Sequence, residues 1–166
     1  MWSWIELHSQ GIQAVSVSFS ALSALYIYWR ANISQRRLAL IDILLRRQSE
    51  GKVAEALAIV RELYKKNDCN LKKYVDGDGP EREAILSVAN HYEFMATGIA
   101  HGVFDEDAYK TLQYSNLMKH WGMLEGFVKE ARSKHGKTYF QEFEELARKW
   151  EESPLEPKRR KRFRFF

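Results

Sequence analysis

Ile12 to Trp29, IQAVSVSFSALSALYIYW, is an uncharged run of eighteen residues whose only strongly polar side chain is Gln13. Wound as a helix it is about 27 Å long, close to the roughly 30 Å hydrocarbon core of a bilayer. Trp2 and Trp4 precede it and Tyr26, Tyr28 and Trp29 close it, so aromatic rings stand at both ends, where they favour the headgroup boundary. Five arginines follow the run (Arg30, Arg36, Arg37, Arg46 and Arg47), whereas the ten residues before it hold only Glu6 and His8 as ionisable groups. Basic residues stay on the cytoplasmic side of a span. The run therefore reads as a single-pass helix of the inner (cytoplasmic) membrane, with the amino terminus outside and everything after it cytoplasmic.

Two other readings compete for this stretch. A cleaved signal peptide carries its positive charges before the apolar core, and here they come after it. A buried helix of a self-contained core is the stronger rival, because Ser16, Ser18, Ser20 and Ser23 dilute the run. Its strongly apolar side chains favour insertion by only about 3 kcal/mol before those serines and Gln13 subtract. Ser16, Ser20 and Ala24 recur every fourth residue, a small-residue stripe of the kind that lets helices approach closely in a membrane. Homo-oligomerisation through the span is one reading of that stripe, and the plain one, which weighs more, is that small residues are common in spans.

The rest of the chain suffices for one compact domain. We divide the sequence into a short extracytoplasmic amino terminus (1–11), a transmembrane helix (12–29), a cytoplasmic helical domain (30–152) and a basic, aromatic tail (153–166). Nine glycines and three prolines leave few turns for a sheet, and Cys69, alone, excludes an internal disulfide and suits a reducing compartment. The expected fold is all-α, one transmembrane helix followed by a small bundle of about five helices.

Helical periodicity supports that count. Leu38, Ile41, Leu44 and Leu45 continue it within 34–48, and no proline or glycine intervenes between Ile12 and Gly51. Val53, Ala56, Leu57, Val60, Leu63 and Tyr64 mark a second helix over 52–66, and 67–79 is the longest loop. Asp76, Asp78 and Gly79 echo the opening of a calcium loop, but Pro80 and Arg82 stand where ligands should continue. The same residues read better as a helix start, with Gly79 or Asp78 as cap and Pro80 at the first position. Ile85, Val88, Ala89, Tyr92, Ala96 and Ile99 make 81–101 the most core-like helix, with Phe94 opposite and a polar stripe of Asn90, Glu93 and Thr97 between. Gly102 closes it and Asp105 caps the next, whose apolar face carries Ala108, Tyr109 and Leu112. Ser115 and Asn116 are a further capping pair before a helix with Leu117, Trp121, Leu124, Val128 and Ala131 inward. A last helix over 138–152 buries Tyr139, Phe143, Leu146 and Trp150.

Nothing along the chain assembles a nucleophile, a base and an orienting group, or a phosphate-cradling glycine loop. No catalytic, cofactor or metal residue is assigned. Glu93, His91 and Asp105 are the only candidates for acid–base chemistry, and two have a plainer role: Asp105 as a cap, Glu93 as a buried carboxylate bonded to a backbone group or a tyrosine. His91 and His101 lie ten residues apart on different sides of their helix.

The block NHYEFMATGIAHGVFDEDAYKTL (Asn90 to Leu112), with HWGMLEGFVKEAR (His120 to Arg132) and FEELARKW (Phe143 to Trp150), resembles the prokaryotic family called domain of unknown function 4760. The resemblance spans roughly Arg30 to Trp150 and implies the same layout, an amino-terminal membrane helix and a small cytoplasmic helical region. It transfers no activity and no catalytic residue. Members resemble products of bacterial and prophage genomes, which implies a setting in phage defence.

The tail LEPKRRKRFRFF places Lys158, Arg159, Arg160, Lys161, Arg162 and Arg164 beside Phe163, Phe165 and Phe166, and without those six cations the chain is slightly acidic. Each cation near an anionic leaflet contributes around 1 kcal/mol. The expected membrane-contacting and anionic-surface residues are therefore Trp2, Trp4, Trp29, Arg36, Arg37 and the tail residues just named, with anionic lipid as partner. Nucleic acid, met by the same cations and stacking rings, is the rival, and a solvated terminus the plain alternative. The function expected is that of a non-enzymatic, membrane-anchored interaction or regulatory protein with a protein partner still to be identified. A membrane-tethered nucleic-acid-binding protein or an effector enzyme are the alternatives.

Overall fold

The computed structural model describes residues 2–67 and 69–157, with side chains in the first helix from residue 13 to residue 46. The side chains of Trp2 and Trp4, and the whole of 158–166, lie outside the described residues. Five α-helices account for most of the described residues: α1 (Trp2–Glu50), α2 (Lys52–Lys66), α3 (Pro80–Ala100), α4 (Glu106–His135) and α5 (Gln141–Glu152). One 3-10 turn, Lys72–Tyr74, interrupts the α2–α3 loop, and no strand occurs among the described residues.

The chain breaks where its backbone chemistry dictates. Gly51 and Gly102 adopt φ of 67° and 68°, left-handed conformations that glycine enters without a Cβ penalty. Pro80 begins α3 behind Gly79, as the cap reading required. The Asp105 side chain accepts a hydrogen bond from the Ala108 amide at 2.8 Å and caps α4.

α3 is the hub, packing against α2, α4 and α5. Tyr92 stacks on Phe143 with ring centroids 4.9 Å apart, and Trp121 meets the same ring edge-on at 5.0 Å. Trp150, fully buried, lies against Tyr109 and Tyr114, and its indole N–H donates to Glu106 at 3.2 Å. Even the 67–79 loop joins the core, since Leu71 and Val75 are buried and Arg82 holds the Val75 carbonyl at 3.0 Å.

Four details differ from the sequence reading. Ser115 and Asn116 do not start a helix: α4 runs through them for 30 residues, because no proline or positive-φ residue forces the backbone out, and the Asn116 amide bonds Gln113 at 2.9 Å. α5 begins at Gln141 because Phe140 takes a left-handed φ of 54°. Arg132 braces that turn by donating to the Tyr139 and Phe140 carbonyls and pairing with Glu144. Leu112 is exposed rather than packed. Finally, the transmembrane reading of 12–29 goes unsupported, as no helix among the described residues is long and apolar enough to cross a membrane. Gln13 and the four serines dilute the run, and the side chain of Ile12, which opens it, lies outside the described residues.

Candidate functional site

Two regions carry features that folding alone does not use. The first is the outer half of α1. From Gln13 to Arg30 every side chain is exposed except Ser23, which is half-buried; Phe19, Leu22 and Leu25 are 72%, 66% and 65% exposed. At about 100° per residue, Val15, Phe19, Leu22, Tyr26 and Trp29 share the side of α1 that farther along carries Leu40, Ile43 and Leu44. There the same side packs: Leu40 is fully buried, with Ile43 and Leu44 against the core. One apolar seam thus runs along α1, covered by the bundle in its inner half and bare in its outer half.

Arg36 and Arg37 stand where the covered half begins. Arg37 donates to Asp105 at 2.9 Å, and a guanidinium nitrogen of Arg36 lies so close to Gly102 that an added Cβ would sit 2.7 Å from it. Both side chains therefore meet the α3–α4 corner. Asp105 is held below the usual carboxylate range, first by the Ala108 amide and also by Arg37, against the opposing effect of burial. Trp29 is exposed at the end of the bare half.

The second region is a cavity of about 320 Å³ between α1, α2, α3 and α4, lined by Leu44, Val53, Leu57, Arg61, Tyr92 and His120 among others. His120 is the buried polar residue of the core among the described residues, 2% exposed. Its Nδ1 lies 2.6 Å from the Tyr92 hydroxyl and its Nε2 lies 3.3 Å from a guanidinium nitrogen of Arg61. Burial first, and then the positive charges of Arg61 and Lys119, press His120 down to about 4. Burial pushes the Tyr92 hydroxyl well above its ordinary value, against the opposing pull of Arg61. Together with Arg61 the two side chains form a hydrogen-bonded array at the cavity.

The carboxylates singled out from the sequence have structural partners. Glu93 accepts from the Phe143 amide at 2.8 Å and the Glu142 amide at 3.3 Å, capping α5 from α3, since α5 has no side-chain cap of its own. Burial raises its affinity for a proton, and those two amides with Arg132 partly offset that. His91 borders the polar cavity, whereas His101 borders a separate apolar groove of about 590 Å³ beside Phe94 and Phe104. The two histidines are not brought together. Among the described residues no three His, Cys, Asp or Glu side chains cluster as a metal site.

A family model described as Domain of unknown function (DUF4760) matches residues 14–150. The chain belongs to that family. The DUF4760 match opens inside the bare half of α1 and closes at Trp150, the buried aromatic of α5. The outer half of α1 is thus part of the DUF4760 unit, and the basic tail lies beyond it. No curated protein and no solved structure matches the chain.

Sequence reasoning passed over Arg61 and His120. A signal was present: His120 keeps helical phase with Leu117 and Leu124, an imidazole set in an apolar stripe, and Arg61 follows Leu57 by one turn. Nothing local links them to Tyr92, 28 residues before His120.

Proposed function

We propose that the outer half of α1 anchors this chain in a membrane and that the bundle is a non-enzymatic interaction module held at its cytoplasmic face. The observation that carries the reading is the bare continuation of an apolar seam that is covered wherever the bundle reaches it. A helix with large apolar side chains exposed over this length needs another apolar phase or partner. Serine dilution weakens insertion, but the Ser20 hydroxyl donates to the Ser16 carbonyl at 2.8 Å, which satisfies its polarity inside the helix. Exposed Tyr26, Tyr28 and Trp29 sit where a boundary belt would lie, and Arg30, Arg36, Arg37 and Arg46 follow on the bundle side. The non-enzymatic part rests on the structural employment of Glu93, which caps α5, and of Asp105, which caps α4 and pairs with Arg37.

The test is fractionation of the intact chain. It is expected in the membrane pellet and to resist alkaline carbonate, whereas a Phe19→Arg, Leu22→Arg, Leu25→Arg variant should move to the supernatant with its helical circular dichroism kept. Recovery of the unaltered chain as a monodisperse species in a detergent-free supernatant overturns the proposal. Deleting 158–166 should weaken binding to anionic vesicles if the tail meets lipid; unchanged binding removes that part.

Self-association has its own supporting observation. Leu38, Ile41 and Leu45 are exposed at 63%, 47% and 61% on the side of α1 away from Leu40, and Ser16 and Ser20 fall on the same line at about 100° per residue. Cross-linking through a cysteine placed at Ser20 in a Cys69→Ser background tests it, and a monomer in every detergent and lipid would remove it.

A further inference from the structure

We infer that the cavity between α1, α2, α3 and α4 binds a small organic anion, a carboxylate or phosphate on a short apolar body, through Arg61 and the Tyr92 hydroxyl. The inference is independent of the membrane proposal and rests on a count of protons. Arg61 cannot accept a hydrogen bond, so His120 Nε2, facing it at 3.3 Å, must accept, and the ring proton sits on Nδ1. At 2.6 Å that N–H donates to the Tyr92 oxygen. The Tyr92 O–H is then left without an acceptor among the described residues. The other tautomer only moves the deficit, because Nε2–H would point at the guanidinium, donor against donor. The cluster presents one more donor than acceptor in either arrangement, an excess that an anion at the cavity would meet.

Charge points the same way. Arg61 makes no ion pair among the described residues, no carboxylate lines the cavity, and Lys119 adds positive potential at His120. An anionic head group supplies both the missing acceptor and the missing charge. Leu44, Val53 and Leu57 add apolar lining to the same cavity, and about 320 Å³ is at the small end of the range for ligand sites. The occupant is therefore compact and amphiphilic.

Phenyl phosphate, benzoate and the neutral comparator benzyl alcohol, titrated into the intact chain in neutral detergent, test the inference by calorimetry and by the imidazole nitrogen resonances of His120. Binding of either anion is expected, with the Nε2 resonance moving as the anion draws Arg61 away; the tighter arm identifies the head group. Arg61→Gln, on an exposed position of α2, should weaken binding about tenfold or more. Tyr92→Phe, which keeps the ring on Phe143, should weaken it about threefold or more. Failure of both anions at millimolar concentration, equal binding of benzyl alcohol, or an unaltered affinity in Arg61→Gln would overturn the inference. Val53→Phe, which adds bulk to the apolar lining, supplies a check independent of Arg61: it should abolish binding, and retained affinity also overturns the site.

Discussion

Phe19 and Leu40 lie on the same side of one uninterrupted helix, yet the first is 72% exposed and the second not at all. The pattern of apolar residues is alike in the two halves of α1. The difference is what stands opposite: α2 and the α3–α4 corner for the inner half, nothing among the described residues for the outer half. Periodicity states that a face wants cover; tertiary structure decides whether the chain itself provides it.

Truncating one large side chain in each half of the molecule should separate the two most widely. Trp150→Ala should cost the bundle about 3–5 kcal/mol, as for other fully buried aromatics. Phe19→Ala should change its unfolding by less than about 0.5 kcal/mol, within the range of exposed positions. Denaturant titration in one detergent reads both, and a large loss at Phe19 would mean that the outer half packs on the bundle after all.

Acid should come next. His120 has an ordinary imidazole value when unfolded and about 4 when folded, so the unfolded chain binds the extra proton first as pH falls. Stability is intact above the unfolded value and should decline by about 3 kcal/mol as pH drops from 6.5 to 4. Glu93, whose folded value is raised, acts in the opposite sense, as its stabilising share is present at low pH and lost as pH rises through its folded value. Thermal melts across this interval should show a decline that His120→Gln flattens.

Arg132→Ala should cost about 1.5–3 kcal/mol, as a charged donor to two carbonyls and Glu144 is lost at the α4–α5 turn. At the joint between the two halves of α1, Asp105→Ala should cost about 1 kcal/mol through the lost cap. Asp105→Asn, which keeps the cap and gives up the Arg37 charge pair, should cost less. Chemical denaturation ranks these variants, and an Asp105→Asn effect as large as Asp105→Ala would make Arg37 the principal clamp.

The helical architecture was legible because its signals are local. Gly51, Gly102, Pro80 and Asp105 each act on the backbone within one turn, and the residues they bound became helix ends. Ser115 and Asn116 misled because their types favour a cap without compelling one, and a long amphipathic helix tolerates both. The α5 start was obscured by Phe140, a non-glycine in left-handed backbone that only its buried ring and Arg132 hold in place. The polar cavity was the least legible part, as Arg61, Tyr92 and His120 come from three helices, and only their tertiary packing creates the donor excess. Glu93 was legible as a buried, hydrogen-bonded carboxylate, but the choice between backbone and tyrosine, and the α5 amides roughly fifty residues away, were not.

α1 extends over 49 residues, about 70 Å at helical rise, and carries no proline, the commonest cause of a sharp kink. Leu44, part of this same strut, forms a wall of the cavity. A tilt imposed at the far end would pivot on the Arg36 and Arg37 contacts and reach the cavity wall as a smaller movement of Leu44, the short arm of the same lever.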